Sequence, residues 1–239
     1  MNVQIFIPCF MDQLYPNTAL NMVRVLQKLG CEVSYNNNQT CCGQPAYNAG
    51  YRAEAKEVCT KLINDFNGTD FIITPSASCA GFIKNYYSTL FDNSSYHNQV
   101  KNLQSRVIEF SDFIVNYLKV IDIGATLNTI ATYHSSCASL REYVVGDAPL
   151  QLLQAVQGLQ LEELPNAETC CGFGGTFAVK FEGISTAMAE QKVDDALTTK
   201  ATVIISTDIS CLMHIQGYAT GKNRELTTMH LADVLVSGW

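Results

Sequence analysis

Ten cysteines are spread over 239 residues, and eight of them fall into two sets with the same internal order. Cys-Cys-Gly occurs at Cys41-Cys42-Gly43 and again at Cys170-Cys171-Gly172, each copy with one cysteine upstream and one downstream. Cys9 precedes Cys41 by 32 positions and Cys137 precedes Cys170 by 33. Cys79 follows Cys42 by 37, and Cys211 follows Cys171 by 40. The sets are offset by 128 to 132 residues, a spacing that packing does not require and that marks a tandem duplication. Thiolates from separated loops are what iron–sulfur clusters and structural zinc ions need. Cys9, Cys41, Cys42 and Cys79, with Cys137, Cys170, Cys171 and Cys211, are therefore the candidate cofactor- and metal-binding residues. Cys31 and Cys59 have no counterpart in the other repeat and read as small buried apolar groups.

Neighbouring side chains of a regular strand point to opposite faces, so two adjacent cysteines reach one centre only from a turn. Gly43 and Gly172 supply the backbone freedom for it, and amides of a glycine-rich turn also favour thiolate charge. Gly172-Phe173-Gly174-Gly175 lacks the spacing and the lysine of a phosphate-binding loop. His134, three before Cys137, is open to ligating a metal, to tuning a cluster by hydrogen bonding, or to plain burial with satisfied nitrogens; its counterpart by offset is Phe6, which excludes a symmetric ligand role. His214, three after Cys211, is open in the same way. Lys180, Arg52 and Arg141 read as surface charge, with contact to an anionic partner or substrate as the other possibility.

The elements that must position these residues alternate between strand and helix. Val3–Pro8 and Thr129–Tyr133 are short apolar or β-branched runs that end just before a cysteine. The apolar spacing from Leu14 to Leu29, closed by Gly30, predicts a helix. Strands follow at Glu32–Tyr35 and Phe71–Thr74, with a helix over Ala53–Phe66 between them. The second half repeats the plan with a strand at Leu159–Leu164, a helix at Ile184–Leu197 and a strand at Ala201–Ser206. This predicts an α/β fold of two tandem pseudo-symmetric modules, each a small parallel sheet flanked by helices with a cysteine cluster at the strand ends. The first module is read as 1–123 and the second as 124–239, with Gly124 at the boundary.

Apolar residues make up 47% of the chain and charged residues 15%, which suits a packed core. A net charge of −7 argues against a nucleic-acid partner, since phosphate binding needs clustered Lys and Arg. No run is long and apolar enough to span a membrane, and no basic stretch precedes a long apolar one. The expected location is cytoplasmic, where thiols stay reduced and ten cysteines call for ligation rather than disulfides.

These motifs, together with Cys170-Cys171-Gly172-Phe173-Gly174-Gly175-Thr176-Phe177 and Tyr133-His134-Ser135-Ser136-Cys137, resemble the CCG-domain (cysteine-rich domain) family over essentially the whole chain. Its members include the B subunit of heterodisulfide reductase and the iron–sulfur subunit of glycolate oxidase. The fullest form of the motif ends in Cys-x-x-Cys, but here Ser76 and Asp208 stand where the first cysteine of that pair would be. The resemblance thus implies four thiolates per module, suited to a 4Fe-4S cluster or to zinc, with Ser76 or Asp208 as a possible oxygen ligand or helix cap. For function it implies an electron-transfer subunit of a complex that oxidises a small 2-hydroxy acid, L-lactate to pyruvate foremost. Ferredoxin-like iron–sulfur and flavin subunits would be its partners, and any membrane association would be peripheral and through them. The alternatives are a cluster-based thiol–disulfide reductase and a zinc-stabilised, non-redox interaction protein.

Overall fold

The computed structural model describes residues 1–239 and contains two four-stranded sheets, all of whose strand pairs are parallel. The first is built from β1 (Asn2–Ile5), β2 (Glu32–Tyr35), β3 (Phe71–Thr74) and β4 (Val107–Glu109), in the order β2-β1-β3-β4. The second repeats it with β5 (Thr126–Tyr133), β6 (Gln157–Glu162), β7 (Val203–Ser206) and β8 (Thr227–His230), in the order β6-β5-β7-β8. Val3 stands opposite Val33 and Phe71, and Ala131 stands opposite Leu161 and Val203. The central strands are continuous buried runs, as expected for parallel strands covered on both faces: Ile72, Ile73 and Thr74 are all buried in β3, and Ile204, Ile205 and Ser206 in β7.

The chain order reverses between β1 and β3, and again between β5 and β7. Such a reversal opens a crevice beyond the carboxyl ends of the strands. Cys9 and Cys79 follow β1 and β3, and Cys137 and Cys211 follow β5 and β7, so each crevice is flanked by a cysteine from both central strands. These four lie just beyond the strand ends, as the sequence suggested, but on helices rather than in loops. Each sits in the first turn of a helix: Cys9–Leu14, Ala77–Leu90, Cys137–Arg141 and Ile209–Gly221. The connections are too short for a loop. Ser76 already caps Ala77–Leu90 by accepting from the Cys79 amide, and Ser136 caps Cys137–Arg141 by accepting from the Ser139 amide.

The helix Pro16–Lys28 buries Thr18, Met22, Val25 and Leu26 along one face, starts with a proline, and ends before Gly30 at φ +80°. Against it packs the C-terminal helix Leu231–Leu235, the last element of the second module. Asp233 of that helix accepts hydrogen bonds from Thr18 (2.9 Å) and Asn21 (2.8 Å). The exchange is reciprocal, because Phe110–Tyr117 of the first half packs on Ala148–Gln154 of the second. One apolar core of 38 buried residues accordingly runs through both sheets, from Val3 and Ile73 to Ala131 and Ile205. A smaller one, around Phe6, Phe66, Phe82 and Tyr87, backs the first cysteine set. No helix is long and apolar enough to cross a membrane.

Candidate metal centre

All ten cysteines are free, and the eight repeated ones gather into the two expected groups. In the first, the Cys9 and Cys41 sulfurs are 3.8 Å apart and those of Cys42 and Cys79 are 3.5 Å apart. Both Cys-Cys-Gly turns have the geometry that glycine permits, with φ of +91° at Gly43 and +92° at Gly172. Space forbids a side chain as firmly as the dihedral does. A Cβ on Gly43 would stand 2.8 Å from the Cys59 sulfur, and one on Gly172 would stand 2.6 Å from the Ser185 carbonyl oxygen. Each glycine amide points back at the first cysteine of its pair, at 3.4 Å from Cys41 Sγ and from Cys170 Sγ.

The sulfurs are electrostatically coupled. Hydrogen bonds from Cys42 and Cys9 hold the Cys41 thiol down to about 3. Those from Cys137 and Cys171 hold Cys170 down to about 2. The donating thiols Cys9, Cys42, Cys137 and Cys171 are pushed up by those same bonds and by burial. Each group is thus a thiolate buried among thiols, an arrangement that a cation resolves by taking the remaining protons' place. Around one zinc ion, bonds of about 2.3 Å put tetrahedral sulfurs about 3.8 Å apart; in the first group two sulfur pairs stand at about that spacing, but no three of its sulfurs lie within 4.8 Å of one another. A 4Fe-4S cluster needs the same four thiolates spread wider. The donor set therefore fits metal or iron–sulfur binding.

Ser76 and Asp208, which replace cysteine in the motif, are not free to ligate. They meet each other across the two modules, where Asp208 Oδ1 accepts from Ser76 Oγ (2.7 Å), Ser78 Oγ (2.9 Å) and the Ser78 amide (3.2 Å). Its Oδ2 accepts from Ser136 Oγ. Asp208 stands at the N-cap position of its own helix yet makes no side-chain cap bond, because its oxygens are engaged by the starts of two other cysteine-bearing helices. The capping expectation thus holds for Ser76 only. Nearby, His230 Nε2 donates to the carbonyls of Pro75 (3.2 Å) and Thr207 (3.1 Å), while its Nδ1 accepts from the Ala232 amide.

A cavity of about 400 Å³ opens between the modules, and six of the eight cysteines line it, Cys170 and Cys171 excepted. Phe10 and Phe173 meet edge-on in its wall, and Arg141 and Glu142 are among its polar lining. Arg52 instead stacks on the Tyr47 ring at 3.7 Å, and Lys180 is exposed on the surface. Cys31 and Cys59 are buried as expected, and the Cys59 thiol donates to the Cys42 carbonyl (3.4 Å). His214 is accounted for by Ser185 Oγ, 3.0 Å from its Nε2. His134 is not. It is fully buried, neither ring nitrogen has a partner, and burial followed by the nearby Lys192 charge pushes it down to about 3, so the ring is neutral.

Two parallel α/β modules joined through one core, each presenting four thiols from strand-end turns and helix starts, define a thiolate-rich, metal- or cluster-binding class of protein. The chain belongs to the CCG cysteine-rich domain family, whose model matches residues 3–84 and 131–216. It is 43% identical over 235 residues to lactate utilization protein A of Halalkalibacterium halodurans, covering 98% of this chain and 96% of the relative. To the protein of the same name from Bacillus licheniformis it is 43% identical over 237 residues, covering 99% and 100%. Among solved structures, a hypothetical protein from Helicobacter pylori superposes with a TM-score of 0.62 at 9% identity. The match covers 98% of this chain and about half (48%) of that one, and it speaks to the fold alone.

Proposed function

We propose that the chain is an iron–sulfur electron-transfer subunit of a complex that oxidises a small 2-hydroxy acid, L-lactate to pyruvate, with one 4Fe-4S cluster in module 1–123 and one in module 124–239. The observation that carries this reading is the pair of four-thiol groups at one inter-module cavity, lined by all four cysteines of the first and by Cys137 and Cys211 of the second. The lactate assignment draws on the names of relatives 43% identical over nearly the whole chain. Cys9, Cys41, Cys42 and Cys79 would hold the first cluster, and Cys137, Cys170, Cys171 and Cys211 the second. A cluster of this kind supplies reversible one-electron transfer when bound. The chain's own contribution is to hold the sulfurs on rigid turns, to bury them, and to aim the Gly43 and Gly172 amides at thiolate charge. No dinucleotide fingerprint is present, so hydride chemistry falls to a flavin-type partner.

The cavity favours one further reading, a thiol–disulfide reductase that takes its substrate between the two cysteine groups. Both readings are tested on the tagged chain isolated without oxygen together with the subunits that accompany it. L-lactate should bleach the visible absorption of the complex and elicit the paramagnetic signal of a reduced cluster. No spectral change with lactate, but oxidation of the reduced protein by a small disulfide, would replace the first reading with the second.

A further inference from the structure

The second cysteine group has a neighbour that the first lacks. His134 continues β5, its amide bonded to the Ile205 carbonyl at 2.8 Å, and its ring is fully buried. A neutral imidazole brings one N–H donor and one acceptor lone pair, and a buried ring with both unpartnered is rare because each costs a lost hydrogen bond. The atoms within reach are sulfurs: a His134 ring nitrogen, Cys171 Sγ and Cys211 Sγ all lie within 4.8 Å of one another. Packing alone does not call for an imidazole here. By offset the first module has Phe6 at this place, equally buried and edge-on to Phe66. A phenyl ring thus fills the same site with no polar atom to satisfy.

A second departure points the same way. Lys192 is buried, donates to the Asn166 carbonyl at 2.8 Å, and carries a charge within electrostatic range of Asp195 and, after it, of Cys171, Cys170 and Cys211. At the matching turn the first module has the buried apolar pair Leu62 and Ile63. A buried imidazole without partners beside the sulfurs is difficult to explain unless the second group holds something that uses its lone pair, and Lys192 adds positive charge in the same region.

We propose that His134 is a nitrogen ligand of the second centre, beside Cys171 and Cys211, and takes the coordination position that Cys137 or Cys170 would otherwise fill, so that the second centre is a mixed thiolate–imidazole site and the first is all-thiolate. This rests on the reading that the cysteine groups hold metal. A neutral imidazole in place of one thiolate, with a buried cation nearby, makes the second centre less negative, and therefore the easier of the two to reduce.

The test is pulsed electron paramagnetic resonance on reduced holoprotein, purified without oxygen and labelled with ¹⁵N-histidine. The expected result is one strongly coupled histidine nitrogen. It is lost in His134→Phe, which borrows the first module's side chain, and retained in His214→Asn. In a potentiometric titration of His134→Phe, one reduction step should move to lower potential while the other stays. The wild-type spectrum decides even if His134→Phe does not fold: absence of a coupled histidine nitrogen overturns the proposal, as does its persistence in that variant. Iron and sulfide assays on the same sample judge the parent reading separately. If the chain carries zinc and no sulfide, that reading fails, and zinc-edge absorption then answers the ligand question. A nitrogen in the zinc shell that His134→Phe removes supports the assignment, and an all-sulfur shell overturns it.

Discussion

The Cys-Cys-Gly turn depends on its glycine for two independent reasons, a left-handed backbone and the absence of room. A non-glycine residue in that backbone region costs about 1–3 kcal/mol. At Gly172 the nearest obstacle is the Ser185 carbonyl oxygen at 2.6 Å, whereas at Gly43 it is the Cys59 sulfur at 2.8 Å, with backbone, the Ala55 carbonyl oxygen, no nearer than 3.2 Å. Gly172→Ala should therefore lower stability by roughly 3 kcal/mol and empty the second centre. Gly43→Ala should cost less, and paired urea titrations and metal analyses would rank them. Another residue carries a pH signature. Glu109 is fully buried, its Oε2 accepting from the Ser111 amide (2.8 Å), the Ser111 hydroxyl and the Asp112 amide (3.1 Å), while Oε1 has no partner. Burial pushes its carboxyl up to about 8 from an ordinary 4.5. The folded state then holds a proton that the unfolded state has released, so this group's effect is to lower stability as pH rises between about 4.5 and 8. The slope is about 1.4 kcal/mol per pH unit for one fully linked proton. Glu109→Gln should remove that slope, seen as a wild-type-minus-variant difference in unfolding free energy that falls as pH rises across the window. A flat difference would mean that Glu109 is ionised in the folded protein.

At the level of elements, what the sequence reveals is uneven, for physical reasons. The duplicated cysteine spacing and the apolar runs at Phe71–Thr74 and Val203–Ser206 disclose the central strands, because buried parallel strands need such runs. β4 and β8 carry no such signal: Val-Ile-Glu and Thr-Thr-Met-His are short, and only their pairing with β3 and β7 makes them strands. The Ser76–Asp208 contact was equally illegible, since it joins residues 132 positions apart. That contact ties together the starts of three cysteine-bearing helices: Ala77–Leu90, Cys137–Arg141 and Ile209–Gly221. Asp208→Ala would leave Ser76, Ser78 and Ser136 without their buried acceptor, and hydrogen bonds to a charged group are worth about 1.5–3 kcal/mol. Urea titration should show a loss of roughly 3 kcal/mol or more. A change under 1 kcal/mol would mean that the three serines find other partners. The unpartnered nitrogens of His134 likewise belong to the folded chain alone. In the sequence, its place three before Cys137 and its asymmetry with Phe6 single it out, but they leave ligation and plain burial equally open.

For the whole molecule, the reciprocal docking of Leu231–Leu235 on Pro16–Lys28 and of Phe110–Tyr117 on Ala148–Gln154 makes the two modules one folding unit with two separate thiol groups. Loss of a ligand should thus be local in metal content. Cys42→Ala should empty the first centre and spare the second, and Cys171→Ala should do the reverse, as read by metal per chain. Simultaneous loss of both would indicate one centre shared across the cavity. The most direct test of the central claim is to assay iron, acid-labile sulfide and zinc, with the visible spectrum, on protein purified without oxygen. Two iron–sulfur centres per chain predict about eight iron and eight sulfide with broad visible absorption, four of each for every 4Fe-4S cluster. Zinc without sulfide in a colourless preparation, unchanged after anaerobic reconstitution with iron and sulfide, would contradict it.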